Sequence, residues 1–188
     1  MTTPDFRSSL LELADLARMV ADSMGSDLDR AYQLVRATVD RQGTLLFCGN
    51  GGSAADAQHM ATEYVVRYMR TRRAYPAIAL TTDTSLLTAA ANDLGFETVF
   101  ARQVEALGKK GDLLIIHSTS GNSPNVLLAA QAAKKKDVRV LSFSARDGGQ
   151  LRALSDHSIV IPTQRTDRAQ ELHLCIEHII CDIVEKTL

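Results

Sequence analysis

Tryptophan is absent from this 188-residue chain, and all aromatic residues together make up only 5% of it. The core must therefore be built from Leu, Ile, Val and Ala rather than from large rings. Cysteine is scarce: Cys48, Cys175 and Cys181 show neither zinc-finger nor redox spacing. An odd, scattered set of thiols fits a reducing cytoplasm. No apolar run is long enough to cross a bilayer, and Met1 to Asp5 lacks the basic-then-apolar layout of a signal peptide. A cytoplasmic location without a membrane partner is expected. A basic excess is missing too: 21 Lys and Arg stand against 22 Asp and Glu, a net charge of −1, so no nucleic-acid partner is expected. No repeat, low-complexity segment or Pro/Gly linker divides the chain, which reads as one domain over residues 1–188.

What is present is a strong periodicity. From Asp5 to about Met24, Leu10, Leu13, Leu16 and Val20 fall at helical spacing. A second helix is expected from about Asp27 to Gln42, with Leu28, Ala31, Leu34, Val35 and Val39 on one stripe. Five short apolar runs then alternate with helices: Thr44–Cys48, Ala77–Leu80, Asp112–His117, Val138–Phe143 and Ser158–Ile161. Continuous apolar strands separated by helices argue for an α/β fold with a five-stranded parallel sheet covered on both faces. The last helix is expected from about Arg168 to Lys186. The helices of residues 1–42 form an N-terminal extension that either folds over its own sheet or meets another subunit. The second is expected for part of its surface. Residues 43–188 form the parallel core.

Two loops have the chemistry of anion sites. The first, Asn50-Gly51-Gly52-Ser53, links a strand to an Ala-rich helix. Glycine allows close backbone approach, and a helix N-terminus favours an anion. Gly49, Gly51 and Ala54 formally match a dinucleotide fingerprint, but the acidic ribose partner expected roughly 20 residues on is missing, as is any Gly-Lys-Ser/Thr ending. The second loop, Ser118-Thr119-Ser120-Gly121-Asn122-Ser123-Pro124, carries four hydroxyls, more than a helix cap needs. Ser123 is a candidate N-cap and Pro124 suits the first turn. In a sheet of order 2-1-3-4-5, these loops line one crevice at the switch point.

His59 and Glu63 lie four residues apart on the helix after the first loop, on one face. The plainer reading is a solvated i,i+4 ladder continued by Arg67. Arg70, Arg72 and Arg73 read most simply as a solvated helix end. On the last helix, Asp167, Gln170, Glu171, His173, Glu177 and His178 are interleaved with Leu and Ile. Several of them could face solvent, whereas His178 lies near the apolar stripe and, taken alone, reads as a core histidine.

With these residues in view, the chain resembles the phosphoheptose isomerases of the sugar isomerase (SIS) domain family. The markers run from about Leu45 to Val184: Cys48 to Ser53, Gln58-His59 with Glu63, Pro76 to Leu80, Asn92-Asp93, Arg102 to Gly108, Ser118 to Ser123, Asp147-Gly148-Gly149, and Gln170 to His173 with His178. The resemblance implies a flavodoxin-like three-layer α/β/α sandwich and a homotetramer with sites at subunit interfaces. It implies one zinc per subunit at His59, Glu63, Gln170 and His178. It implies sugar-phosphate contacts from Asn50, Gly51, Gly52, Ser53, Glu63, Asn92, Asp93, Ser118, Thr119, Ser120, Ser123 and Gln170. Arg67 is a further candidate. The implied reaction takes sedoheptulose 7-phosphate to D-glycero-D-manno-heptose 7-phosphate through an enediol, opening the route to nucleotide-activated heptose. Glu63 is then the base, His178 its acid/base partner, and Asp167 an orienting or relaying group. Gln170 and His178 lie eight residues apart, roughly 12 Å of helix rise, so ligands from more than one chain are expected at a shared metal.

Two segments depart from the usual family pattern. His117 stands where relatives usually carry a small or apolar residue, and either alters the pocket floor or faces a covering helix. Ser142 to Arg146 replaces a more common Leu-Thr-Gly-Lys run. Three alternatives remain: a non-catalytic tetrameric binding protein of the replication-initiator-associated type, an isomerase of another sugar phosphate, and a dinucleotide enzyme. The presence of both Glu63 and His178 favours an enzyme over the first, and the missing acidic partner disfavours the last.

Overall fold

The apolar runs become five strands of one parallel sheet. The computed structural model describes residues 5–188. β1 (Leu45–Gly49), β2 (Ala77–Ala79), β3 (Leu113–His117), β4 (Arg139–Ala145) and β5 (His157–Ile161) lie in the order β2-β1-β3-β4-β5. β1 pairs with β3 from Leu45↔Leu113 to Gly49↔His117, so the loops that follow these two strands leave the sheet side by side.

Side chains alternate along each strand, and the two faces feed two cores. Leu45, Phe47, Leu113 and Ile115 join one; Leu46, Cys48, Leu114 and Ile116 join the other. Both cores are mostly aliphatic, each fully buried Leu or Ile contributing about 1.5–3 kcal/mol, but rings are not excluded as the composition suggested: Tyr64, Phe47 and Phe143 are the largest fully buried side chains. On the first face lie α1 (Phe6–Ser23), α2 (Gly25–Asp40), α3 (Gly52–Val65) and α8 (Thr166–Thr187). On the second lie α4 (Thr84–Leu94), α5 (Ala101–Leu107), α6 (Pro124–Lys135) and α7 (Gly149–Leu154). The result is a three-layer α/β/α sandwich.

The N-terminal extension divides in its behaviour. α2 packs on the sheet and α8, burying Ala31, Leu34, Val35 and Val39. α1 buries only Leu16 and Val20, while Phe6 is 78% exposed and Leu10 67%. α2 starts at Gly25, two residues before the expected Asp27, because the chain breaks only at Met24 before turning into the next helix. α8 likewise begins at Thr166 rather than at Arg168. Among the described residues no helix is long and apolar enough to cross a membrane.

Candidate active site

The first loop is shaped by glycine. Gly51 has φ +57°, a conformation that costs a residue with a side chain. At Gly49 a Cβ would lie 2.6 Å from the Ser53 carbonyl oxygen and 2.9 Å from that of His117. The turn can therefore fold tightly against the end of β3 before α3 begins. This sets the N-terminus of a 14-residue helix at the mouth of the crevice, where its amides and dipole favour an anion.

The second loop faces the first. Ser118 Oγ accepts from the Gly121 amide at 3.2 Å and Ser120 Oγ from the Asn122 amide at 3.3 Å, which folds the loop on itself. Ser123 occupies the N-cap position of α6, with Pro124 in the first turn, but its hydroxyl makes no capping hydrogen bond. Asn50 and Asn125 join the loops: each amide donates to the other, at 2.9 and 2.8 Å. Between the loops lies a polar cavity of about 300 Å³, lined by Asn50, Gly51, Gly52, Ser53, His117, Ser118, Thr119, Ser120, Ser123, Thr166 and Gln170. Gln170 reaches it from α8, its amide against Gly52 and 3.5 Å from Ser53 Oγ.

The His/Glu cluster lies further along the same two helices. His59 Nε2 is 3.4 Å from Glu63 Oε1 on α3 and 2.9 Å from His178 Nε2 on α8. One ligand atom from each of the three falls within 4.8 Å of the others. The Tyr68 ring stacks on His178 at 5.3 Å. Burial, and then the neighbouring His59, lower the pKa of His178 below the usual histidine value. A neutral imidazole at physiological pH is the form that binds a metal or takes a proton. Two imidazole nitrogens and a carboxylate oxygen converging on one point fit a zinc ion with an open fourth position.

The remaining expected residues stand apart from this cluster. Gln170 lines the polar cavity, toward the N-terminal end of α8 from His178. Asp167 is exposed in the first turn of α8, where hydrogen bonds from Arg165 bring its carboxyl down to about 2. Asn92 donates to Asp93 at 2.7 Å on α4, and both are exposed outside the cavity. α3 ends at Val65, so Arg67 lies beyond it, exposed, rather than on the His59/Glu63 face.

Several groups were not expected. Arg72 is no solvated helix end: it donates to the carbonyls of Glu63 and Tyr64 at 2.7 and 2.8 Å, and its Nε lies 3.2 Å from Glu185 Oε1. Glu185 accepts in turn from the amides of Tyr68, Met69 and Arg70, each at 2.8 Å. This brace fixes both the end of α3 that carries Glu63 and the loop that carries Tyr68. Glu177 does not face solvent; it is buried against His117. Burial raises the Asp56 carboxyl above its usual range, with Glu177 adding to the effect against His117 and His59.

Larger clefts lie elsewhere. One of about 520 Å³ beside β5 is lined by Asp27, Asp156 and His157 among others. Its groups are committed to structure: His157 Nε2 bonds the Asp27 carbonyl at 2.8 Å, and Asp156 accepts from the Val140 amide at 2.7 Å. The smaller polar cavity is the one lined by the N-termini of α3 and α8 and by loop hydroxyls, on the two helices that further along carry the His/Glu cluster.

The sequence pattern of the SIS domain matches residues 10–145. The phosphoheptose isomerase of Helicobacter pylori (strain P12) is 51% identical over 165 residues, covering 88% of this chain and 86% of that protein. That of Akkermansia muciniphila is 43% identical over 182 residues, covering 97% and 96%. The solved structure of phosphoheptose isomerase GmhA from Neisseria gonorrhoeae superposes with a TM-score of 0.90 at 40% identity, covering 96% of each chain.

Proposed function

The chain belongs to the SIS domain family and, within it, to the phosphoheptose isomerases, and on that premise we propose that it converts sedoheptulose 7-phosphate to D-glycero-D-manno-heptose 7-phosphate. The observation that carries this reading is the coexistence, along α3 and α8, of an anion cavity and a His59/Glu63/His178 cluster. The phosphate sits among the Ser118–Ser123 hydroxyls and the N-terminus of α3, with Asn50 and Gln170 beside it. Its binding energy orients the reacting carbons at the other end of the sugar.

The reaction moves one proton between adjacent carbons. Glu63 takes the proton from carbon 1 of the ketose while the carbon 2 oxygen gains one, giving an enediol. A proton returned to carbon 2, and the loss of one from the carbon 1 hydroxyl, give the aldose. His178, neutral because it is partly buried, serves the oxygens. Asp167, ionised and clamped by Arg165, orients rather than relays. Zinc, held by His59, Glu63 and His178, would polarise the substrate oxygens when bound.

The working form is a cytoplasmic homotetramer whose sites lie between subunits. Supporting this, apolar residues near Glu63 and His178 in the chain are exposed: Val66, Met69, Ile179 and Ile183. Ser53 and Glu63 are ten residues apart, roughly 15 Å of helix, and Gln170 and His178 eight, roughly 12 Å. A second copy can bring its own Gln170 and cavity to this cluster, and Asn92, Asp93 and Arg67 are exposed for the same purpose. The product feeds nucleotide-activated heptose synthesis for lipopolysaccharide or other glycoconjugates.

The test is conversion of sedoheptulose 7-phosphate followed by NMR, with chelator and with added zinc. Aldoheptose 7-phosphate formation that chelation abolishes and zinc restores supports the isomerase and its metal. Turnover only of other sugar phosphates, or none, overturns the substrate assignment.

A further inference from the structure

Among the described residues, no Lys and no Arg lines the anion cavity. A phosphate monoester carries about 1.5 to 2 negative charges at neutral pH, and arginine is the side chain whose fork of donors suits it best. The chain places one beside the cavity wall. Arg165 is the N-cap residue of α8 and directly precedes Thr166, which lines the cavity. Neighbouring Cα atoms are about 3.8 Å apart, less than the length of an arginine side chain, so the cavity is within its reach. Its guanidinium is nevertheless held on other groups. Nε and Nη2 donate to the Asp167 carboxylate, and Nη1 donates at 2.7 Å to Glu12 Oε2 on α1.

The contact with Glu12 is of a kind that exchanges easily. Arg165 is 48% exposed, Glu12 44% and Asp167 53%, and ion pairs so open to water are weak. Arg168, by contrast, is fixed: its side chain is 9% exposed and it donates to both Glu171 oxygens, at 2.9 and 2.6 Å. It also lies 3.5 Å from Glu12 Oε2, so a Glu12 released by Arg165 still has a cation beside it.

We propose that Arg165 is a phosphate-binding residue of the anion cavity, and that Glu12 on α1 holds it off until the phosphate arrives. This rests on the sugar-phosphate reading above. The phosphate competes with a single carboxylate, so Nη1 exchanges Glu12 for a phosphate oxygen. The other edge of the fork stays on Asp167, which turns with it. Binding in the cavity thereby loosens the tie between α1 and the head of α8.

The test is the Kd of inorganic phosphate, measured by titration calorimetry on the parent, Glu12→Gln, Arg165→Ala and the double variant. Each substitution is at an exposed side chain, and melting temperatures check the fold. Arg165→Ala should weaken phosphate roughly five- to tenfold. Glu12→Gln should tighten it roughly two- to fivefold. In the Arg165→Ala background the Glu12→Gln effect should vanish, because Glu12 acts through Arg165. Tightening of the same size in both backgrounds would be general relief of negative charge and overturns the inference. So does an Arg165→Ala protein with parental Kd, or a Glu12→Gln protein that binds phosphate no more tightly than the parent. Should Arg165→Ala melt early, Arg165→Gln takes its place with the same expected results.

The readout is independent of turnover, so the outcomes separate. The expected pattern in a parent that does not isomerise the heptose keeps this inference and overturns the substrate assignment. Its absence in a parent that does isomerise overturns the inference alone. A parent that binds no phosphate contradicts both.

Discussion

Asn50 and Asn125 exchange two amide hydrogen bonds across 75 residues of sequence, and this pair is what holds the two anion loops face to face. Asn50 begins the turn after β1 and Asn125 sits in the first turn of α6. Replacing Asn125 by Ala removes both bonds and leaves the Asn50 amide to find new partners. The lost bonds amount to about 1–2 kcal/mol, so the KM for a sugar phosphate should rise by up to about thirtyfold, with kcat less affected. Steady-state kinetics on Asn125→Ala checks this; an unchanged KM would mean that the loops keep their spacing without the pair.

Glu63 should be required for chemistry rather than for binding. Glu63→Gln keeps the size of the side chain and removes its basicity, so kcat should fall by about 10²–10⁴. Inorganic phosphate should still bind, because its cavity lies at the start of α3. A variant with near-parental kcat would remove Glu63 from the reaction.

The His59/Glu63/His178 cluster should set the metal content. His59→Ala leaves two of three ligands, and zinc measured by atomic absorption on dialysed protein should fall to a small fraction of the parental value. Parental zinc retained in His59→Ala would place the metal elsewhere.

The brace under the site should contribute to stability. Burial works against the Glu185 charge, but the amides of Tyr68, Met69 and Arg70, and then Arg72, outweigh it and hold the carboxyl below its usual range. Glu185→Gln breaks a buried pair and turns an amide N–H₂ toward backbone donors, a cost of about 3–5 kcal/mol. Urea unfolding measures it, and a change under 1 kcal/mol would contradict the brace.

The acid limb of stability should carry the signature of His173. This residue is fully buried, with Nε2 donating to the Ser144 carbonyl at 3.0 Å, and burial brings its pKa down to about 3. Below the unfolded value near 6.5 the unfolded chain binds a proton that the folded chain refuses. Stability from this group is therefore complete above that pH and falls by up to about 1.4 kcal/mol per unit as pH drops toward 3. Urea midpoints from pH 7 to 5 should show a flatter slope for His173→Asn than for the parent.

The fold was legible because its signals are local and repeated. The central strands β1, β3 and β4 are buried almost throughout, and short apolar runs alternating with helical stripes gave the parallel sheet and its two covering layers from periodicity, whereas the strand order β2-β1-β3-β4-β5 is fixed only by long-range pairing. The phosphate loops were legible from local signals too, glycine marking the tight turns. The His59/Glu63 pair could be seen in its i,i+4 spacing, whereas His178 joined it only through the resemblance, since 119 residues separate it from His59. What escaped was long-range polar pairing. Glu177 and Arg72 look like surface charges in sequence, and only the approach of α8 to β3 and to the end of α3 buries them. Asn125 carried no signal beyond its place after Pro124. His117 was visible as a departure, but its partner 60 residues away was not.

The most direct measurement is isomerisation of sedoheptulose 7-phosphate in D₂O, with the aldose product examined by NMR at carbon 2. Proton transfer through an enediol by Glu63 predicts solvent deuterium at that carbon, formed by the parent and at a rate at least about 10²-fold lower by Glu63→Gln. Full turnover with no deuterium at carbon 2, unaffected by Glu63→Gln, would point to an internal hydride shift and contradict the account.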